Sequence, residues 1–530
     1  MPRVRSLLLP LVLPLLWAGC QSPSPSSPAD DSSPSEVRLG GYATVPLDAN
    51  VGALPADRQK MVSLFVEAAQ AMDAVFWEQA YGNRDSLLQA IADPQRRRTA
   101  ALNYGPWDRL RGGRPFVEGA GPQPPGANFY PSDLTAEALR RAARTDDALD
   151  APDTMVRRLP DGSLTALPYH LFFAEPMTTA AGRLREAASL AADDQLRRAL
   201  ERRADALTQG ADATSEAPTP PVGEVTTLIR PMPTGEDRLL GVKASASALV
   251  LRRHAARSRR LARIGQQVPA LWNALPVPDS LRPAPPTYDA AAYDALYVAG
   301  GLNAGPKPLA LPLPAAREAP SAPAVRPLLL SNALRARADS LLRPLAGPVL
   351  AADLRPRVTA DALFDVTALR QAARRALPDT ASALRAAGAA DALGLTLAGA
   401  LAETSGPDSL DYYATGLAHL VHTFRVDSTA APGRAARASL RYLADRGALT
   451  RPADADRYTV APAAMARALP GLVRAWLQAD AATFAGRHAP APPALRAGLA
   501  RLEETGVPLA LAFEQGRSVL RGLAPATAAR

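Results

Sequence analysis

Residues 103–135 read NYGPWDRLRGGRPFVEGAGPQPPGANFYPSDLT. Glycine and proline recur so often here that neither a helix nor a strand can run through the stretch. It nevertheless carries Trp107, Phe116, Phe129 and Tyr130, large rings that need burial. A segment that is irregular and must stay out of water is an ordered loop folded over a core. Asp133 and Thr135 close it and introduce a helix through AEALRRAAR.

Working outward, residues 61–80 set Phe65, Ala69, Met72 and Phe76 at helical spacing, a buried stripe. Residues 155–173 predict a short hairpin turning at Asp161-Gly162. A long helix is expected over 180–207, a polar excursion over 208–223, a strand over 224–230 and a helix over 244–275. AYDALYVAGGLNAGPKPLALPLP (292–314) reads as strand, glycine turn and extended segment. From 327 onward the pattern is almost entirely helical, with breaks at 344–348, 404–408, 427–433, 450–457 and 489–493. The class is α+β, predominantly helical, and a body of this length exceeds one ordinary core.

The amino terminus carries an address. Arg3 and Arg5 precede an apolar run, Ser6 to Trp17, too short to span a bilayer. It ends in Trp17-Ala18-Gly19-Cys20, the small-small-Cys pattern of a bacterial lipoprotein cleavage site. Residues 1–20 are therefore expected to be a lipoprotein signal peptide, with Cys20 the lipid acceptor and a membrane lipid the anchor. Cys20 is the sole cysteine, which rules out an intramolecular disulfide and a thiolate cluster. Residues 21–40 form a Pro/Ser-rich tether, which places the body at the bacterial cell envelope, on a periplasmic or outer-membrane face. No later segment reads as an uninterrupted apolar run long enough to span.

The net charge of +9 is carried by arginine, since Lys60, Lys243 and Lys307 are the only lysines. The densest basic run, RRHAARSRRLAR (252–263), reads as a solvated helix face. No nucleic-acid partner is expected for an exported chain, and nothing in the sequence fixes an oligomeric state.

NYGPWDRL, PFVEGAGPQPPGANFYPSDLT, YDALYVAGGLNAGPK, LSNALRARADSLLRPLA, DYYATGLAHLVHTFRV and VPLALAFEQG occur in order over roughly residues 55–520. In these blocks the chain resembles the M49 family of zinc metallopeptidases, the dipeptidyl peptidase III family, in its short bacterial form. The resemblance implies two lobes around a cleft, a mixed α/β lobe over 41–325 and a helical lobe over 326–530. It also implies zinc held by a His-Glu-x-x-(x)-x-His helix and by a Glu on a later helix, with the first Glu activating the bound water.

The region where those groups belong, 358–395, reads VTADALFDVTALRQAARRALPDTASALRAAGAADALGL. It has no His, Cys or Glu, and its carboxylates are Asp361, Asp365, Asp379 and Asp391. DVTALRQAARR stands in place of the first pattern. Ala386 and Ala387 lie near the position of the later Glu, with Asp391 and Gly394 kept. Pro432 occupies the place of the family's transition-state His, and Leu311-Pro312-Leu313-Pro314-Ala315 replaces an Ile-Asn-Leu-Pro-Asn block. The expectation is a degenerate zinc site with no cofactor and no catalytic residue, in a pseudoenzyme whose ligand is a peptide.

Other constellations stay open. His419 and His422 share a helix face, and with a third ligand they are an alternative metal pair for an active M49-type zinc-dependent hydrolase. A damaged gene is a third account. In GGLNAGPK (300–307), Asn303 and Lys307 either line the cleft or belong to a turn. Asp108, Arg109 and Glu118 are cleft candidates that read more simply as ion pairs and caps holding the loop. His170 reads as a structural histidine, and no GxSxG elbow, P-loop or dinucleotide fingerprint occurs.

Overall fold

The computed structural model of the chain describes residues 41–47, 50–210, 223–286, 288, 290–314, 325–378, 380–404, 407–451, 457–478 and 480–515. The expected signal peptide with Cys20, the expected tether over 21–40, Ala315 and Asp379 lie outside them.

Strand β1 (Tyr42–Pro46) leads into helix α1 (Ala56–Ala80). The expected stripe of Phe65, Ala69, Met72 and Phe76 is fully buried. The loop of 103–135 behaves as its composition demands, with Trp107, Phe116, Phe129 and Tyr130 buried. Thr135 caps the short helix Ala136–Ala142 by accepting the amide hydrogen of Ala138. The hairpin forms between Thr154–Arg158 and Leu164–Pro168.

Two expectations need correction here. The long helix of 180–207 is a pair, α2 (Ala174–Ser189) and α3 (Asp194–Gln209), because Asp193 accepts from the amides of Gln195 and Leu196 and starts a new helix. After β2 (Val225–Met232), the helix expected from 244 begins as a strand, β3 (Ser245–Arg253). Residues 245–251 are buried on both faces, so their near-continuous apolar run hides the period of two. Helix α4 (Ala255–Asn273) follows.

With β4 (Ala291–Gly300), β5 (Ala310–Pro314) and β6 (Val325–Leu330), these strands make a five-stranded sheet of order β2-β3-β4-β6-β5. The β4/β6 pair is parallel and the other pairs are antiparallel. Alternate side chains feed two cores. Ala248, Val250 and Leu296 pack toward α1, while Leu249, Leu251 and Val298 pack against Val45 of β1 and Phe513 of the last strand.

The helical lobe begins with α5 (Ser331–Arg337), which continues through a π turn at Ala338–Leu342 into Arg343–Val349. The break expected at 344–348 is instead helical, with Pro344 tolerated in a first turn. Then come α6 (Ala360–Ala376), α7 (Ala383–Thr404), α8 (Ser409–Val426), α9 (Ala431–Asp445) and α10 (Pro462–Gln478). Helix α7 packs against α6, α8, α9 and α10. It has the length and mean hydropathy (1.2) of a membrane span, which the sequence reading denied to any later segment. The stretch that gives it this character is 83% buried, as expected of a core helix.

Leu261, Ile264, Val268 and Trp272 of α4 join the helical core although they precede residue 326. The last strand, β7 (Ala510–Glu514), returns from the helical lobe and pairs in parallel with β1.

Candidate functional site

Helix α6 begins where Thr359 accepts from the amide of Ala362, and it turns Asp361, Asp365 and Arg370 toward neighbouring helices. Asp365, fully buried, accepts from Nε of Arg260 at 2.7 Å, from the same guanidinium's Nη2, and from the Tyr412 hydroxyl at 2.7 Å. Asp361 accepts from Arg257, whose guanidinium also lies over the Phe364 ring. Across the α6/α7 seam, Asp391 accepts from Nε of Arg370. Burial pushes the Asp391 carboxyl up, and Arg370 opposes that rise.

The three described carboxylates of 358–395 are thus each held by an arginine. Residues 365 and 370 stand five apart on α6 and are Asp and Arg. Ala386 and Ala387 bring no donor atom. Among the described residues, no three His, Cys, Asp or Glu side chains stand close enough to share a metal ion. The donors present do not fit zinc, because oxygens spent on guanidinium and phenol hydrogens are not free for a cation, and fixed arginine charges repel one.

The histidine pair lies on α8 beside Arg337. Its Nη2 is 3.3 Å from Nδ1 of His419 and 3.1 Å from Nδ1 of His422. A guanidinium only donates, so both Nδ1 atoms accept and both rings are neutral, with their protons on Nε2. His422 donates that proton to the Leu509 carbonyl at 2.9 Å. Nε2 of His419 is buried and meets no acceptor; a buried donor in that condition costs about 1–3 kcal/mol. Burial first, then Arg370, Arg337 and His422, holds the His419 ring well below the ordinary imidazole range. Burial and then Arg337 do the same for His422. A metal at either Nδ1 would have to displace Arg337, and each Nε2 carries the ring's proton and has no lone pair to offer, so this pair does not fit a metal as it stands.

The cleft candidates separate into two groups. Asn303 donates to the Tyr104 hydroxyl at 2.9 Å, Tyr104 donates to Asp73, and the Gly300 amide donates to Asp73 at 2.9 Å. Lys307, itself buried, donates to the Asn303 carbonyl. Gly300, at φ 64°, makes the turn that closes this knot. Burial pushes Asp73 up, and burial beside Asp73 pushes the Tyr104 phenol well up. Asp108 accepts from the Leu110 amide and pairs with Arg111 at 2.6 Å, and Arg109 forks onto buried Glu236. Both hold the loop of 103–135 together. Glu118 is exposed.

Pro432 lies in the first turn of α9, and β5 pairs with β6 in the register Leu311↔Leu328. Sequence reasoning missed the arginines. In the basic run of 252–263, Arg257 and Arg260 point inward onto Asp361 and Asp365, and Arg252 pairs with Glu224. The available signal was Asp365 followed five residues later by Arg370, with each charge facing a neighbouring helix.

The chain is similar to the structure of DPP III from Caldithrix abyssi, with a TM-score of 0.82 and 25% identity, covering 92% of this chain and 99% of that one. It is also similar to dipeptidyl-peptidase III from Corallococcus sp. strain EGB, with a TM-score of 0.75 and 26% identity, covering 91% and 96%. Among curated proteins, Nudix hydrolase 3 of Arabidopsis thaliana is 23% identical over 393 residues, 63% of this chain and 51% of that protein. The chain therefore spans about half the length of the curated relative it matches. No protein-family model matches it. A likeness running through nearly the whole of two solved chains gives this one the fold of the dipeptidyl-peptidase III family, M49.

Proposed function

We propose that this chain is an envelope lipoprotein in which a dipeptidyl-peptidase III scaffold binds peptides without zinc and without cleaving them. The observation that supports this reading is the pairing of Arg260 with Asp365 and of Arg370 with Asp391 on the two helices where the family's metal ligands belong. Peptide hydrolysis by this family depends on a metal-bound water made nucleophilic near neutral pH. A guanidinium stabilises negative charge but does not ionise water. The scaffold's shape rests on the helices and the Gly/Pro loop, which the ion pairs leave in place, so the peptide-binding cleft that the family's fold implies would outlast the chemistry. Lipid attachment at Cys20 would hold that cleft at a membrane surface.

Metal analysis and a turnover assay on the purified protein test the reading. Less than 0.1 zinc per chain and no chelator-sensitive release of arylamine from dipeptidyl-arylamides are expected. One tightly held zinc per chain, or turnover abolished by a chelator, would sink it. The alternative of an active hydrolase built on His419 and His422 needs a ring lone pair free to bind metal; Arg337 holds the Nδ1 lone pair of both rings, which leaves the protons on Nε2.

A further inference from the structure

Exposed arginines on the helices of this chain hold carboxylates: Arg183 pairs with Glu67 at 2.7 Å, Arg185 with Asp205 at 2.8 Å and Arg441 with Asp445 at 2.9 Å. The surface around Gly41, where the described chain begins, departs from that rule. Arg98, on the helix Pro94–Asn103, donates to the hydroxyl of Thr44 in β1 at 2.6 Å. Arg114 is exposed and lies opposite Asp108 in a two-residue ladder, but Asp108 is taken by Arg111 at 2.6 Å. Arg238 is half-buried, and Glu236, the carboxylate that acts on it, is forked by Arg109. Among the described residues, no carboxylate stands at ion-pair distance from Arg98, Arg114 or Arg238.

The three arginines gather at one place. A methyl group at Gly41 would stand 2.9 Å from Cδ1 of Leu110, and one at Gly113 would stand 3.6 Å from Nη1 of Arg238. Residues 110 and 113 belong to the turn that leads into Arg114, and Thr44 brings Arg98 in three residues along the chain from Gly41. Glu118 is the exposed carboxylate nearest to Arg114 in sequence, so the patch keeps a net positive charge. Residue 41 is also where the tether expected over 21–40 joins the body. A chain of that length spans about 25 Å as a flexible coil and about 60 Å fully extended, while a folded body of this size is about 60 Å across. A lipid anchor at Cys20 would therefore keep this surface, of all the surfaces of the body, nearest to the headgroups.

We propose that Arg98, Arg114 and Arg238 form a membrane-facing patch that rests on anionic phospholipid headgroups and sets the body's orientation on the bilayer. A guanidinium presents paired N–H donors to a phosphate, and a basic segment next to an anchor adds binding energy for each charge that reaches the surface. The proposal rests on the lipid-anchor reading and adds which face of the protein the anchor turns to the membrane.

The experiment is vesicle co-sedimentation of the full chain carrying Cys20→Ser, so that acylation does not mask the headgroup contribution. The vesicles are phosphatidylcholine alone, or phosphatidylcholine and phosphatidylglycerol in equal parts. Binding to the anionic vesicles is expected to be stronger by about tenfold or more, and added salt should weaken it. Arg98→Gln, Arg114→Gln and Arg238→Gln together should bring it down to the level of the neutral vesicles without lowering the melting temperature. Arg183→Gln, Arg185→Gln and Arg441→Gln together remove the same formal charge from α2 and α9 and should leave the preference in place. No preference for the anionic vesicles, or the same loss in both triple variants, overturns the patch. The mass of the amino-terminal fragment of the wild type from a bacterial envelope reads the anchor separately. Acyl chains on Cys20 without a vesicle preference would leave the anchor standing and sink the patch, whereas an unmodified Cys20 with the preference would do the reverse.

Discussion

Gly394 of α7 lies against Arg370 of α6 so closely that a methyl group at 394 would stand 2.6 Å from Cγ of Arg370 and 3.1 Å from its backbone nitrogen. The absence of a side chain at 394 is what lets α7 approach α6 at the level of the Arg370–Asp391 pair. Gly394→Ala therefore sets a helix-propensity gain of about 1 kcal/mol against overpacking of about 1–3 kcal/mol. A net loss of up to about 2 kcal/mol is expected in urea unfolding, with the ion pair displaced. A stabilised variant would show that the two helices do not meet here.

The Arg260–Asp365 pair makes a sharper test, because Asp365 is fully buried and Arg260 is not. Asp365→Asn leaves a partly buried guanidinium without its partner, and a loss of about 3 kcal/mol is expected. Arg260→Met with Asp365→Leu removes both charges, and equilibrium unfolding should recover most of that loss. A double variant as unstable as the single one would mean that the carboxylate does more than neutralise the arginine.

Zinc itself is a third probe. A ligand that binds the folded state raises the melting temperature through mass action. Neither excess zinc nor a chelator is expected to shift the melting temperature of the wild type by more than about 1 °C. A rise of several degrees with stoichiometric zinc would show a donor set that the arginines do not occupy.

Lys243 gives the pH prediction. Its ammonium is buried and donates to the Leu149 carbonyl, the Ala151 carbonyl and the Thr154 hydroxyl. Burial lowers its pKa from 10.5 to about 8, against the pull of Asp237, Asp150 and Asp153. Between those values the unfolded chain binds more protons than the fold, so this group's contribution to stability is present above about pH 10.5 and is lost as pH falls through about 8. Denaturant midpoints of wild type and Lys243→Met across that window should converge at low pH and separate as pH rises, with the wild type gaining.

Much of the architecture was legible because it rests on composition and spacing. The aromatics of 103–135 forced an ordered loop, and the stripe of 65, 69, 72 and 76 fixed the face of α1. Strand β3 escaped because a strand buried on both sides has no polar face to reveal its period. The absence of His, Cys and Glu from 358–395 was visible in one dimension, since it is a matter of residue identity. The replacement was not, because Arg260, Tyr412 and Asp391 reach the site from three other helices. Asn303 and Lys307 were placed near one another by their spacing, but their link to Tyr104 and Asp73 depends on how the loop and α1 cross β4.

The pairing of β1 with β7 sets a timetable for folding. Tyr42 lies beside Ala510, so one of the first strands to be made hydrogen-bonds with one of the last. At a synthesis rate of about 5–20 residues per second, β1 would wait on the order of tens of seconds for its partner to exist. Val45 and Phe513 cover one face of the central sheet, and that face therefore stays open until residues 510–514 have been made. A growing chain in that state exposes both an unpaired edge and an apolar surface, which makes it a natural client for a holding chaperone.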